Sequence, residues 1–275
     1  MKKRGHVHYR RTEPTRLLTS TGGYLEGYTH TLNPYVGCAF ACTYCYVRKM
    51  PVALFRQEPW GSWVDMKTNP ASQLARELRR AKERGKVFIF MSSATDPYQP
   101  AEYREQVTRR LLEAMCDEPP DFLWVQTRSP LVMRDTDLFV ELGKRVRVSV
   151  TVETDREDVR RKVAPQSPPV AARFRALEKM REQGIDVQAT IAPVMPYSDQ
   201  FAARLYDAAE RVGIDGFSGD GMNGKRSESL GMKSFFTQNS WEAWYGEEVL
   251  ERVRLDMLRH FPPDRVKCGR AAFLP

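Results

Sequence analysis

Residues 86–93, KVFIFMSS, run from a lysine through five apolar side chains and stop at two serines. A strand with one wet face alternates polar and apolar residues, whereas one covered on both faces, as in a parallel sheet, does not. This stretch therefore reads as a buried parallel strand, and its flanks decide the fold. Upstream, Asn69 stands as an N-cap with Pro70 in the first turn, Leu74, Leu78 and Ala81 share one stripe, and Gly85 ends the helix. Downstream, Val107, Leu111, Ala114 and Met115 form the next stripe, followed by the apolar run FLWVQT at 122–127. Asp135 caps a short helix ending near Gly143, before VRVSVTV at 146–152. Phe174, Leu177 and Met180 mark a helix to Gly184, before IDVQATIAP at 185–193. Phe201, Leu205, Ala208 and Val212 mark another before Gly213, with a sixth strand in GIDGFSG at 213–219. The first strand is the short alternating stretch 28–32.

Six β/α units predict a parallel sheet with right-handed crossovers, in a partial barrel or a doubly wound arrangement. Ligands then bind at the C-terminal strand ends. The unusual residues collect there: the loop after the first strand, SSATDPYQP (92–100), TRSP (127–130), Glu153 and Thr154, APVMPY (192–197) and SGDGMNGK (218–225). Glu153 ends an apolar strand, so its carboxylate needs a partner, and an acid/base role is open to it. Asp96 before Pro97 reads as a cap or turn residue on local grounds alone. A last helix is expected over 241–259, and 262–275 has too little periodicity to place.

The loop after the first strand, NPYVGCAFACTYCYVRKM (33–50), carries Cys38, Cys42 and Cys45 in C-x3-C-x2-C order with Tyr44 before the last. Three thiolates in one short loop suit zinc or an iron–sulfur cluster. Only three ligands are local, so a fourth comes from elsewhere or one coordination position stays open. A structural zinc, completed by His30 or Cys268, is the rival to a cluster, although zinc sites favour paired C-x2-C arms and only one is present. Cys116 and Cys268 read as inert thiols.

Lys and Arg number 43 against 35 Asp and Glu, a formal net charge of +8 with a sequence pI of about 9.3. That balance permits an anionic partner such as nucleic acid. Lys2, Lys3, Arg4, Arg10 and Arg11 precede the first acid, Glu13, so residues 1–20 read as a basic tail, free or touching phosphates. Arg160, Arg161 and Lys162 read as a solvated helix face. No apolar run approaches the roughly 20 residues of a membrane span, no secretory signal follows the basic start, and five cysteines, three of them bunched, suit a reducing compartment. A cytoplasmic protein without membrane contact is expected, with a core over 21–235 and a C-terminal helix and tail over 236–275.

The cysteine spacing, its aromatic and the strand-end segments together resemble the radical S-adenosylmethionine (SAM) superfamily, from about Tyr24 to Ser218. Within it, SSATDPYQPAE (92–102), TRS (127–129), VRVSVTVET (146–154), APQSPP (164–169) with Arg173 after it, and IAPVMP (191–196) resemble the spore photoproduct lyase-like group. The resemblance implies a partial (β/α)6 TIM-type barrel and a [4Fe–4S] cluster on Cys38, Cys42 and Cys45, its fourth iron chelated by SAM. It also implies a low-potential electron donor of flavodoxin or ferredoxin type, and a 5′-deoxyadenosyl radical that abstracts hydrogen from substrate. Tyr44, Ser92, Ser93, Thr95 and Asp96 would face SAM or substrate, Arg128 would approach the SAM carboxylate and Ser149 its ribose. The DNA repair lyases carry a hydrogen-returning cysteine at the end of the second strand. This chain has Ser93 or a neighbour there, so Tyr98, Cys116 or Cys268 would have to act as donor. The alternative from another class is a zinc-stapled nucleic-acid-binding protein without catalysis.

Overall fold

The computed structural model describes residues 7–217 and 228–275. Among them the strands are β1 (His8–Thr12), β2 (Leu18–Ser20), β3 (His30–Leu32), β4 (Tyr35–Val36), β5 (Trp63–Lys67), β6 (Phe88–Met91), β7 (Phe122–Thr127), β8 (Val146–Thr151), β9 (Val187–Ile191), β10 (Arg211–Ile214) and β11 (Val266–Cys268). Eight build one sheet in the order β11-β10-β9-β8-β7-β6-β3-β2, parallel throughout except for β2 against β3. Helices α1 (Pro51–Leu54), α2 (Pro70–Lys82), α3 (Glu102–Glu105), α4 (Val107–Asp117), α5 (Thr136–Leu142), α6 (Glu157–Val163), α7 (Val170–Glu182), α8 (Phe201–Ala208), α9 (Met232–Gln238) and α10 (Glu248–Leu258) lie in the connections. This is an α/β partial barrel, as the resemblance implied.

Helix stripes and strand runs meet in one large core. Leu74 and Leu78 of α2, Leu111 and Met115 of α4, and Leu177 and Met180 of α7 pack with Ile89, Val125, Val148 and Ile191 of the sheet. The lumen face is different. Phe90 stacks on Trp124 at a ring separation of 6.0 Å, and Phe273 packs against both. Above them is a polar ladder: Trp124 Nε1 donates to Gln126, Gln126 Nε2 to Thr151 (2.9 Å), and Ser149 and Thr190 share a hydrogen bond of 2.5 Å.

Four expectations need correction. The sixth strand is β10, ending at Ile214 rather than covering 213–219, and α8 stops at Ala208. Val212 continues the i, i+4 spacing of α8 but is buried beside Ala189 of β9, so strand pairing overrides the helical pattern. The segment expected as a basic tail contains β1, paired with β5 over five residues; with β4 it forms a separate three-stranded sheet. The last helix begins at Glu248, after a short 3-10 turn at Glu242–Trp244 and Gly246 in positive φ (158°). The unplaced C-terminal stretch supplies β11 and then a 3-10 turn, Gly269–Phe273, beneath the lumen, where Gln188 Nε2 holds the Ala272 carbonyl at 2.9 Å. The SGDGMNGK loop (218–225) lies outside the described residues. No described helix is long and apolar enough to cross a membrane.

Candidate active site

The loop between β4 and α1 packs closely against the segment leading into β5 because glycine makes room twice. Gly37 has φ +86°, and a Cβ there would fall 2.6 Å from the Trp63 carbonyl and 2.7 Å from its ring. Gly61, at φ +95°, faces Ala41, whose Cβ would stand 2.3 Å from an added one. Gly37→Ala is therefore expected to cost more than the ordinary ~1 kcal/mol of a glycine replaced in a left-handed conformation, because clash adds to strain. Urea unfolding of the apo-protein measures the loss, and iron content after reconstitution should fall with it.

Side chains from the loop after β6 then tie down the cysteine loop. Gln99, fully buried, accepts from the Ala39 amide (2.9 Å) and donates to the Gly37 carbonyl (3.2 Å) and Thr95 Oγ1 (3.1 Å). Thr95 Oγ1 donates to the same Gly37 carbonyl at 2.5 Å. Asn33 accepts from the Ala94 amide and donates to Ser93 Oγ, and the Tyr46 hydroxyl donates to the Ser93 carbonyl. On the outer side, Arg48 donates to the Ala41 and Cys42 carbonyls at 2.8 and 3.0 Å. The two loops are thus one hydrogen-bonded unit.

They enclose a cavity of about 140 Å³ behind an open mouth. Cys38, Cys42 and Cys45 line it with Tyr44, Tyr46 and Trp60; Ser92, Ser93, Thr95 and Asp96 line it from the β6 loop; Arg128 lines it from the end of β7, and Phe90 and Phe273 from below. Burial, then the Asp96 carboxylate and the other two thiols, push the Cys38 thiol well up. Burial followed by Cys42 pushes Cys45 up to about 11. Buried, mutually repelling thiols of this kind ionise readily only when a cation takes them as ligands. Ser92 gives a second indication of a ligand. It holds φ +80°, uncommon for a residue with a side chain, and its buried hydroxyl has no hydrogen-bond partner among the described residues. A buried hydroxyl left so costs about 1–3 kcal/mol unless something polar arrives.

Asp96 is a wall residue fully engaged by the protein. It accepts from Thr127 Oγ1 (2.7 Å) and from the amides of Tyr98 and Arg128 (2.9 Å each), pinning the loop after β6 to the loop after β7. Burial raises its carboxyl above the usual range against the pull of those three donors. Arg128 donates to the Tyr44 hydroxyl and lies 3.4 Å from Glu153, which also accepts from Tyr44 at 3.0 Å. Behind them Arg173 closes on Glu153 at 2.5 Å, both side chains fully buried. Burial pushes the Glu153 carboxyl up, but Arg173, Arg128 and the Tyr44 hydroxyl together hold it below the ordinary carboxylate range.

Of the residues named from the sequence, nine thus share one cavity. Three stand back from it: Ser149, one hydrogen bond behind Thr190; Tyr98, whose hydroxyl donates to Asp135 at 3.0 Å; and Glu153, behind Tyr44 and Arg128. His30, the first residue of β3, bonds the neighbouring Thr29, and Cys268 lies on β11 at the opposite edge of the sheet. Among the described residues no three His, Cys, Asp or Glu side chains converge on one metal ion; a four-iron cube, unlike zinc, takes each thiolate at a different iron. Gln99, Asn33, Trp60 and Phe273 were missed.

The sequence profile described as "Radical SAM superfamily" matches residues 32–208. The chain belongs to the radical SAM superfamily. This radical SAM protein is 34% identical over 172 residues to the uncharacterized protein MJ0683 of Methanocaldococcus jannaschii, covering 62% of each chain. It is 31% identical over 218 residues to the uncharacterized protein ORF301 of Acidianus two-tailed virus, covering 72% of this chain and 70% of that one. It is 30% identical over 196 residues to the uncharacterized protein Rv2578c of Mycobacterium tuberculosis, covering 70% and 57%. The radical SAM chain thus spans about three fifths of the length of MJ0683 and of Rv2578c. Its fold is similar to that of a spore photoproduct lyase mutant with bound AdoMet and dinucleoside spore photoproduct, at a TM-score of 0.66 and 13% identity, over 96% of this chain and 81% of that one. The similarity to Streptococcus suis SuiB bound to S-adenosylmethionine is lower, with a TM-score of 0.51 and 14% identity over 76% and 44%. As a radical SAM enzyme, the protein uses a [4Fe–4S] cluster and SAM.

Proposed function

We propose that Cys38, Cys42 and Cys45 hold the cluster at the mouth of the partial barrel, that SAM lies against Ser92, Ser93, Thr95 and Arg128, and that hydrogen is abstracted from a substrate entering above them. The supporting observation is the convergence, in one cavity, of two buried thiols and a half-buried one, an unpartnered serine hydroxyl and a guanidinium. When bound, cluster and SAM supply, on one-electron reduction by a flavodoxin- or ferredoxin-type donor, methionine and the 5′-deoxyadenosyl radical that takes hydrogen from the substrate.

The chain's own residues orient and shield. Arg128 gives Nη1 to Tyr44 and Glu153, while its Nε and Nη2 carry no acceptor among the described residues, so one edge of the guanidinium fork is available to a carboxylate. Tyr44 stands under that guanidinium, 5.5 Å from ring to Cζ, and Glu153 with Arg173 fixes it from behind. Phe90, Phe273, Trp60 and Val47 keep the walls apolar, which limits water around a reactive intermediate.

Nucleic acid is the substrate class that the net charge of +8 favours. Reconstituted anaerobically with iron and sulfide, the protein should show a [4Fe–4S] spectrum, and with dithionite it should convert SAM to 5′-deoxyadenosine. Cluster-loaded protein that leaves SAM intact overturns the reading. Deuterium transfer into 5′-deoxyadenosine from labelled oligonucleotides, set against labelled peptides, tests the substrate class.

A further inference from the structure

A second cavity lies at the C-terminal end of β5. Arg11 at the end of β1, Lys67 at the end of β5, Ala71 and Ser72 in the first turn of α2, and Glu105 and Arg110 at α3 and α4 line it, with about 1250 Å³ of space including its open mouth. The two cavities share no lining residue.

The charges here are arranged for an anion. Lys67 is only partly exposed, yet it has no carboxylate within ion-pairing distance among the described residues, and neither has Arg110. Burial pushes the Lys67 amine down to about 8, with Glu77 pulling weakly the other way. An ammonium held in that position gains from any anion that enters. Glu105 is already occupied, with Arg11 at 3.2 Å, which leaves exposed Glu13 as the opposing carboxylate at the rim. The thirteen-residue helix α2 begins at this cavity with left-handed Asn69, whose side chain makes no capping bond, so first-turn amides beside Lys67 lack that partner. Helix N-termini favour negative charge, and phosphate meets amides and cations together.

We infer that this cavity is a phosphate site, separate from the cysteine-lined one, in which Lys67, Arg110 and the first turn of α2 take a phosphate group that is free, carried by a nucleotide, or part of a phosphodiester chain. Glu13 weakens the site and makes it selective against weakly charged anions. The site does not depend on cluster chemistry, so its test leaves the SAM reading untouched, and the reverse holds as well.

The test uses the full chain, acylated with an amine-selective reagent at pH 8 and mapped by mass spectrometry, with exposed Lys86 and Lys144 as internal references. Inorganic phosphate should slow labelling of Lys67 by about threefold at twice its dissociation constant, following 1 + [L]/Kd, while the references stay unchanged. Arg110→Gln should raise the phosphate needed, and Glu13→Gln should lower it. Thymidine monophosphate and a short thymidylate oligonucleotide identify the source: whichever protects at the lowest concentration names it, and protection by any of the three supports the site. Equal protection by chloride at matched ionic strength, or none by all three, overturns it.

Discussion

Cys42→Ala is expected to abolish 5′-deoxyadenosine formation, with loss of more than about 100-fold, beyond what removal of an outer-shell partner costs. One thiolate fewer leaves an iron without its protein ligand at the wall where burial and mutual repulsion already raise Cys38 and Cys45. The fold should survive, because the Cys42 side chain packs with Cys38, Phe40 and Tyr44 in a cluster apart from the main core. Circular dichroism and thermal unfolding of the apo-protein should therefore match wild type while iron content and SAM cleavage collapse together. Gln99→Leu supplies the graded comparison: it keeps all three thiols but leaves the Ala39 amide without its acceptor and the Gly37 carbonyl with Thr95 alone, so activity should drop about 10–100-fold. Full activity in Cys42→Ala would remove the cysteine loop from the chemistry.

Arg173→Met should be the most destabilising single change outside the apolar core. Arg173 and Glu153 are both fully buried, and the guanidinium also donates to the Thr151 and Pro168 carbonyls and to Ser167 Oγ. Removing one member of such a pair leaves an uncompensated buried charge at a cost of about 3–5 kcal/mol, a fall in melting temperature on the order of 10 °C. Because Arg128 still neutralises Glu153 from the other side, the lower half of that range is expected. The pH dependence has a definite sign. The folded-state pKa of Glu153 is held below its ordinary value, so its contribution is complete above the unfolded value of about 4.3 and is lost as pH falls through the lower folded one. The gap between wild type and Arg173→Met should thus be constant at neutral pH and narrow below about pH 4. An unchanged melting temperature at pH 7 would contradict the pairing.

The parts of the site that were legible in the sequence are those whose signal is local. Three cysteines in one loop announce themselves by spacing, and Glu153 at the end of an apolar strand announces a missing partner. Gln99 and Asn33, which hold that loop, were invisible because an amide bonded to a distant backbone follows no period. Phe273 reaches the cavity through tertiary contact alone. In the fold, buried parallel strands read clearly because both faces are apolar. β1 did not, since HYRRT is an edge strand with four of its five residues exposed and so lacks alternation. Val212 shows the opposite failure, a strand residue whose spacing happens to extend a helix.

The floor of the cavity, Phe273, and its first cysteine, Cys38, are separated by nearly the whole chain, and Arg270 reaches back to the Gly23 carbonyl at 2.8 Å. Closing a loop that long adds little to the equilibrium cost but places the contact among the slowest to form. On the ribosome, the cysteine loop and the first parallel strands emerge and pair long before the C-terminal turn that underlies them exists. The cavity therefore has an interval in which its cysteine loop has been made while its base is open to solvent.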